Sequence, residues 1–179
     1  MQKQNTGIIC AAVYKHLGEK MKFLWSGDLK VNTVHVRDVC KAMLHCATRV
    51  PAGALFNLAD KADSCQESIN KLLEKIFGIS TGFYGGMIST LAKANFKSVT
   101  EDVNDKHLKP WSELTQKAGI KVTPLTPYLD PELLYNNSLS IDGAAIESTG
   151  FAYDYPEPTV ELLQEQIQYH MAQSLFPQF

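Results

Sequence analysis

The side chain whose type and position most favour chemistry in this sequence is His35. It lies in residues 31–39, a β-prone run that leads into an amphipathic pattern, and its imidazole can exchange a proton near neutral pH. A histidine in this place can also cap a strand or donate to a backbone carbonyl. Asp38 offers a similar choice between an acid and a helix N-cap, and the apolar pattern behind it favours the cap.

The motifs of several common catalytic sites do not occur in the sequence. It contains no Gly-x-Ser-x-Gly elbow, no His-Glu-x-x-His helix and no P-loop. Its four cysteines are far apart and form no CxxC pattern, which predicts reduced, mostly buried thiols; they are Cys10, Cys40, Cys46 and Cys65. The spacing of Cys40, His45 and Cys46 scatters them around a helix, so we assign neither a metal site nor a catalytic residue.

The composition predicts a globular protein with one core. Of the 179 residues 45% are hydrophobic, and 17 basic against 19 acidic residues give a net charge of -2. Because no basic run occurs, we expect no nucleic-acid partner. The apolar run near the start, residues 8–13, is too short for a signal sequence or a membrane span. We therefore expect a cytoplasmic protein with no membrane partner.

Helical periodicity and end signals predict most of the chain to be helical. The predicted helices cover residues 8–20, 39–47, 64–77, 84–96, 101–118, a short piece before Gly150, and 159–173. Ser64 to Glu67 has the pattern of a capping box, Gly78 is a natural C-terminal residue, and Pro110 should kink or divide its helix. The inward faces include Ala42, Met43, Cys46 and Ala47 in one helix and Met87, Ile88, Leu91 and Ala92 in another.

Short β-prone segments lie between these helices. Residues 21–25 and 29–36, around the turn Ser26-Gly27-Asp28, predict a hairpin. Residues 54–59 predict a strand covered on both faces, with parallel neighbours, and residues 138–141 predict another short strand. Residues 119–138, with three prolines, predict an extended loop containing one helical turn at 131–135.

Three of these segments, in this order, resemble the carboxyl-terminal half of extended short-chain dehydrogenases/reductases, the NAD-dependent epimerase/dehydratase family. They are His35-Val36-Arg37-Asp38-Val39, Phe56-Asn57-Leu58-Ala59 before a Ser-capped helix, and Gly150-Phe151-Ala152-Tyr153-Asp154-Tyr155-Pro156 before the last helix. The resemblance covers residues 8–172. It implies an α/β class: an incomplete Rossmann-type fold, the substrate-side half, with few short strands and five to seven helices in a single domain over residues 1–179.

The sequence departs from the family at the cofactor and at the catalytic pair. The family binds NAD or NADP through a Thr-Gly-x-x-Gly-x-x-Gly loop after a buried strand. The nearest candidate, residues 81–85, lacks that strand and the last glycine, which favours a flexible turn between helices. None of the seven tyrosines is followed four residues later by Lys, so the family's Tyr-x-x-x-Lys pair is absent. We therefore expect this chain alone to bind no cofactor.

The resemblance also implies which residues line a substrate pocket. The candidates are Lys30, Asn32 and His35, with Asn57 as a weak candidate for cofactor contact or for a bond to a neighbouring loop. Family members that act on nucleotide sugars hold a phosphate with an Arg at the position of Val31 here. Because an isopropyl group cannot replace that bidentate contact, a smaller and less charged carbonyl substrate is expected.

Two hypotheses follow for what the chain does. In the first, it is part of an NAD(P)-dependent epimerase/dehydratase-like oxidoreductase and supplies the substrate-side walls for a small molecule. In the second, it is a non-catalytic binding or interaction module. The second hypothesis expects a protein partner, or self-association, through the incomplete sheet.

Overall fold

The computed structural model describes the backbone of residues 2–179 and the side chains of residues 6–91, 93–132 and 134–179. The chain is mostly helical, with a small parallel sheet, which confirms the mixed α/β class. Its elements in chain order are α1 (Gln2–Leu17), β1 (Met21–Phe23), α2 (Val36–Arg49), α3 (Gln66–Phe77), β2 (Thr81–Phe83), α4 (Gly85–Lys93), α5 (Phe96–Lys117), the 3-10 helices Pro131–Leu134 and Ala144–Thr149, and α6 (Val160–Ala172).

Backbone proximity divides the chain into two compact units. Unit 1 comprises the chain up to Ser26, Asn70–Asn136 and Val160–Phe179, and unit 2 comprises Gly27–Ile69 and Asn137–Thr159. The single domain over residues 1–179 and the Rossmann-type ancestry stay predictions. Among residues 2–179, no helix is long and apolar enough to cross a membrane.

The sheet of unit 1 is formed by β1 and β2, which pair in parallel with Met21 opposite Thr81 and Phe23 opposite Phe83. Each strand follows a helix at the same distance: Gly18 and Gly78 both adopt a φ of 66°, the left-handed conformation that ends helices. Two residues then lead from each glycine to its strand. The predicted hairpin over residues 21–36 is therefore wrong, because the partner of β1 comes from a distant part of the chain, and β2 replaces the predicted turn.

The core of unit 1 is built on α1, whose side chains from Ile8 to Val13 are all at most 5% exposed. This helix begins before the predicted residue 8 and ends at Leu17. Leu73 and Phe77 from α3 and Ile167 from α6 pack against it. The predicted helices at 64–77 and 159–173 are confirmed within two residues at each end, as is the helical turn after Pro131.

Helix α5 continues through Pro110 as one element from Phe96 to Lys117. The predicted division at the proline is wrong. A proline in a helix interior removes one backbone hydrogen bond, and burial of Phe96 and Trp111 on either side of Pro110 offsets this loss. Contacts with α1 and α4 hold the helix in unit 1.

The core of unit 2 is small and centres on Ala42, Ile146 and Phe151. Residues 54–59, predicted as a buried strand, form no strand, and Leu55 is 92% exposed. Residues 138–141 contribute a single bridge, between Leu139 and Val31. Both strand predictions are wrong: residues 54–59 form neither a strand nor a bridge, and residues 138–141 pair only at the bridge of Leu139.

Two helices expose side chains that were predicted to be inward. In α2, Met43 is 68% exposed, and Ala47 is also exposed. In α4, Met87 and Leu91 are 84% and 70% exposed. Periodicity identifies an apolar face correctly in both helices, but it cannot say whether that face has a partner within the chain.

The capping box predicted at Ser64 is displaced by one residue. Helix α3 begins at Gln66, and the Ser68 hydroxyl accepts the backbone N–H of Cys65 at 3.0 Å. The Ser64 hydroxyl instead donates to Asp60 Oδ1 at 2.9 Å. The motif therefore predicts the position of the helix start but not the serine that caps it. Ser64 cannot cap the helix because its hydroxyl is bound to Asp60, and Ser68 binds the backbone at the helix start instead.

Candidate functional site

His35 is the N-cap of α2, a position predicted for Asp38. Its backbone is extended, with φ -72° and ψ 136°, and its Nδ1 accepts the backbone N–H of Arg37 at 3.3 Å. The neutral imidazole therefore carries its proton on Nε2. His35 caps a helix rather than a strand, and its second nitrogen keeps the ability to donate.

Tyr155 covers one face of the His35 ring. The two ring centroids lie 4.2 Å apart with 35° between the planes. Arg37 Nη1 donates to the Tyr155 hydroxyl at 3.1 Å, and its guanidinium lies 5.6 Å from the centre of the same ring. An imidazole, a phenol and a guanidinium thus form one polar cluster at the start of α2, which we call the His35 cluster.

Asp38 organises this cluster from inside. Its side chain is fully buried, and its two carboxylate oxygens accept the backbone N–H groups of Asp154 and Tyr155, each at 2.9 Å. The start of a helix favours a negative charge at this position. The prediction of Asp38 as the N-cap is wrong, because the carboxylate binds a distant loop rather than the first turn of its own helix.

Lys30 makes an ion pair with Asp63 at 2.5 Å and also donates to the Asp63 carbonyl at 3.0 Å. The hydrogen bond that Lys30 donates to the Asp63 carboxylate raises the pKa of Lys30. In turn, hydrogen bonds from Asn32, Lys30 and Ser140, in that order of effect, lower the pKa of Asp63 to about 2. The ammonium of Lys30 is therefore already bound by Asp63, a group of the same chain.

Asn32 uses both ends of its amide to join segments of unit 2. Its Nδ2 donates to Asp63 Oδ1 at 2.9 Å, and its Oδ1 accepts the backbone N–H of Ile141 at 2.6 Å. The Ser140 hydroxyl donates to the same oxygen of Asp63 at 3.0 Å. The structure brings Lys30 and Asn32 together on Asp63, while His35 belongs to the separate cluster around Tyr155.

Asp60 is a second buried carboxylate that sequence reasoning missed. One of its oxygens accepts the backbone N–H and the hydroxyl of Thr33 at 2.6 and 3.0 Å. The other oxygen accepts the backbone N–H and hydroxyl of Ser64. The signal available in the sequence was an Asp directly after an apolar run and four residues before a serine, the spacing of a local turn.

Asn57 lies in the irregular segment before Asp60 and is exposed. Among the described residues its side chain has no hydrogen-bond partner, so the structure offers no bond to a neighbouring loop. A cleft of about 290 Å³ lies elsewhere, in unit 1, with Lys15, Lys20 and Ser80 on its walls. None of the predicted pocket residues lines this cleft.

The four cysteines are free thiols. Cys10 is buried, Cys46 and Cys65 are partly exposed, and Cys40 is exposed, so the prediction of mostly buried thiols is wrong. Within the described part of the chain, no group of three or more His, Cys, Asp or Glu side chains could hold a metal ion.

Unit 1 contains a buried polar group that the sequence did not indicate. His107 is 3% exposed, its Nε2 lies 3.3 Å from the Tyr14 hydroxyl, and its Nδ1 lies 3.7 Å from Cys10 Sγ. Burial lowers the pKa of His107, against a smaller opposing effect of its hydrogen bond to the Pro127 carbonyl. Burial raises the pKa of both Cys10 and Tyr14 to about 12, so the thiol is not an activated nucleophile.

Comparison with known proteins gives no further identification. No family model, no curated protein and no solved structure matches this chain. The resemblance to extended dehydrogenases therefore stays a prediction made from the sequence.

Proposed function

We propose that this chain supplies the substrate-side wall of an NAD(P)-dependent epimerase/dehydratase-like oxidoreductase and does not transfer hydride alone. One observation carries the proposal. The Asp38 carboxylate of the first resemblance segment binds the backbone of Asp154 and Tyr155 in the third. The second segment contributes Phe56 and Leu58 to the same small core. Three segments chosen for their resemblance to the family thus meet in one unit.

The His35 cluster is the part of this wall that contains a hydrogen-bond donor for a substrate. His35 Nε2 can donate a hydrogen bond to a carbonyl oxygen, and Tyr155 and Arg37 hold the ring in place. The ammonium of Lys30 is committed to Asp63, so it is a poor phosphate ligand. Both features favour a small, weakly charged carbonyl compound over a nucleotide sugar.

The remaining expectations fit the same proposal. With neither the glycine-rich loop nor the Tyr-x-x-x-Lys pair in its sequence, the chain alone should bind neither NAD nor NADP. We propose a cytoplasmic location, where thiols stay reduced, and four free cysteines support it.

Ligand-observed NMR tests the proposal directly. Saturation transfer from the protein to small ketones and aldehydes should be detected, and it should exceed the transfer to UDP-glucose. His35→Ala should abolish it, whereas His16→Ala, which changes an exposed histidine paired with Glu113, should not. Equal signals in wild type and His35→Ala, or preference for UDP-glucose, would contradict the proposed wall. Micromolar binding of NADH in calorimetry would contradict the absence of a cofactor site.

A second candidate is a non-catalytic interaction module, and the outer side of α2 favours it. Val36, Met43 and Leu44 are 56%, 68% and 68% exposed there, and their spacing of i, i+7 and i+8 places them on one face of the helix, two turns apart. Sedimentation velocity distinguishes the candidates. Self-association that disappears in the Met43→Ser/Leu44→Ser variant supports the module, and a monomer at all concentrations counts against association through this face.

A further inference from the structure

Helix α4 turns a polar side chain towards the interior of unit 1 and its apolar side chains towards solvent. Ser89 is fully buried, whereas Met87, Ile88 and Leu91 are 84%, 52% and 70% exposed. These three side chains lie within one arc of the helix, with Tyr84 just before it, 44% exposed. We call these four residues the α4 patch.

Two hydrogen bonds prevent α4 from rolling to bury this patch. The Ser89 hydroxyl accepts the backbone N–H of Trp25 at 2.6 Å, and the backbone N–H of Gly85 donates to the Trp25 carbonyl at 3.2 Å. Rotation of the helix would break both bonds and leave the buried Trp25 N–H without its acceptor. The patch is therefore a fixed feature of unit 1.

The chain around the patch is positively charged, although the whole protein is not. From Lys75 to Thr100 the sequence contains three lysines and no acidic residue. Lys93 ends α4 and Lys97 follows in α5. Lys22 lies 5.3 Å from the centre of the Tyr84 ring. The nearest acids in sequence are Glu101, ten residues after Leu91, and Glu74, ten residues before Tyr84. The Glu74 carboxylate accepts the backbone N–H of Thr81 at 2.7 Å.

The size and shape of the patch decide which occupant it fits. A helix of nine residues is about 13 Å long, and its outer face is far smaller than the ~800 Å² per partner of a stable protein interface. Insertion into a lipid headgroup region needs only a few protruding apolar side chains and nearby cations. A tyrosine at the edge of the patch also suits the boundary between water and acyl chains.

We propose that α4 is an interfacial anchor that seats this protein on anionic lipid surfaces. Met87, Ile88 and Leu91 enter the boundary of the acyl chains, and the helix lies along the surface without crossing it. Lys22, which lies against Tyr84 at the edge of the patch, contacts lipid phosphates. This inference is independent of the proposed function, because it uses none of the residues of the His35 cluster. It departs from the expectation of no membrane partner, which considered only segments long enough to cross a bilayer.

Vesicle co-sedimentation tests the anchor. The full chain should bind vesicles of phosphatidylcholine with 30 mol% phosphatidylserine, bind pure phosphatidylcholine much less, and lose binding at high salt. Met87→Ser/Leu91→Ser should weaken binding roughly tenfold or more. Lys22→Gln should weaken binding to the anionic vesicles by about fivefold.

The matched control is Leu55→Ser/Val122→Ser, which removes two side chains that are 92% and 83% exposed and lie outside the patch. It should leave vesicle binding unchanged. Thermal melts should be alike for all variants, because every changed side chain is exposed. No binding to anionic vesicles, or equal loss in the control, would overturn the proposal. Dimers in sedimentation velocity that are removed by Met87→Ser/Leu91→Ser, without vesicle binding, would assign the patch to a second copy and overturn it as well.

Discussion

The carboxylate of Asp38 accepts the backbone N–H of Tyr155 across 116 intervening residues, at 2.9 Å. The other oxygen accepts the N–H of Asp154. A single buried side chain thus fixes the loop that carries Tyr155 against the start of α2. The position of His35 depends on this contact, because the Tyr155 ring stacks on the imidazole.

Replacement of Asp38 by Ala should lower the free energy of unfolding by about 2–4 kcal/mol, because two buried N–H groups lose their acceptor. Urea denaturation followed by circular dichroism measures this loss. Glu157→Ala is the control, since Glu157 is exposed, and it should change stability by less than about 0.5 kcal/mol. A loss in Asp38→Ala no larger than in the control would show that solvent or a rearranged loop satisfies both groups.

Asp63 should make stability depend on acid pH. Its folded pKa of about 2 lies below its ordinary value of 3.8. Its contribution is therefore present above pH 3.8 and is lost as the pH falls towards 2. The difference in urea midpoint between wild type and Asp63→Asn should shrink over that window.

Asparagine is the suitable replacement for Asp63, because the φ of this residue is 46° and asparagine tolerates the left-handed region. A constant difference between the two proteins from pH 5 to pH 2.5 would contradict the assignment of the lowered pKa to this carboxyl.

His107 should make stability depend on pH near neutrality, in the same direction. Its pKa in the folded protein is below the ordinary value of 6.5 because of burial, so the unfolded chain binds the proton first. Stability is then complete above pH 6.5 and falls as the pH decreases below it. Urea denaturation of wild type and His107→Gln between pH 8 and 5 measures the effect, and the variant should show the shallower slope. Equal slopes would place the pH dependence on other groups.

The thiols should differ in reactivity. Cys40 is exposed, and Cys10 is 3% exposed with a pKa raised to about 12. Iodoacetamide at pH 8 should alkylate Cys40 within minutes and leave Cys10 unmodified until guanidinium unfolds the protein, as followed by peptide mass spectrometry. Alkylation of Cys10 in the native protein at a rate similar to that of Cys40 would mean that α1 opens locally.

The sequence predicted elements whose signals are local. The apolar spacing of Leu73 and Phe77, followed by Gly78, identifies α3, and the proline before Glu132 identifies a helical turn. These signals act within one or two turns of the chain. Long helices with a buried face and a terminating residue are therefore predictable here.

The sequence did not predict features that depend on distant partners. Met21 to Phe23 reads as half of a hairpin, yet its partner begins at Thr81. Leu55 reads as buried in a strand, yet unit 2 gives it no neighbouring strand. At the site, His35 was predicted from its residue type, whereas Tyr155 and Asp63 were missed because only the folded loops bring them to His35 and Lys30.

Equal spacing behind the two strands has a consequence for tolerance to insertions. Gly18 and Gly78 each stand two residues ahead of their strands, so Phe23 and Phe83 meet on one side of the sheet with ring centroids 6.2 Å apart. One extra residue after Gly78 would turn every β2 side chain to the opposite side of the pleat. We therefore expect the length of these two connections to matter more than their residue types. Deletions or duplications there should prevent folding, whereas substitutions should be tolerated.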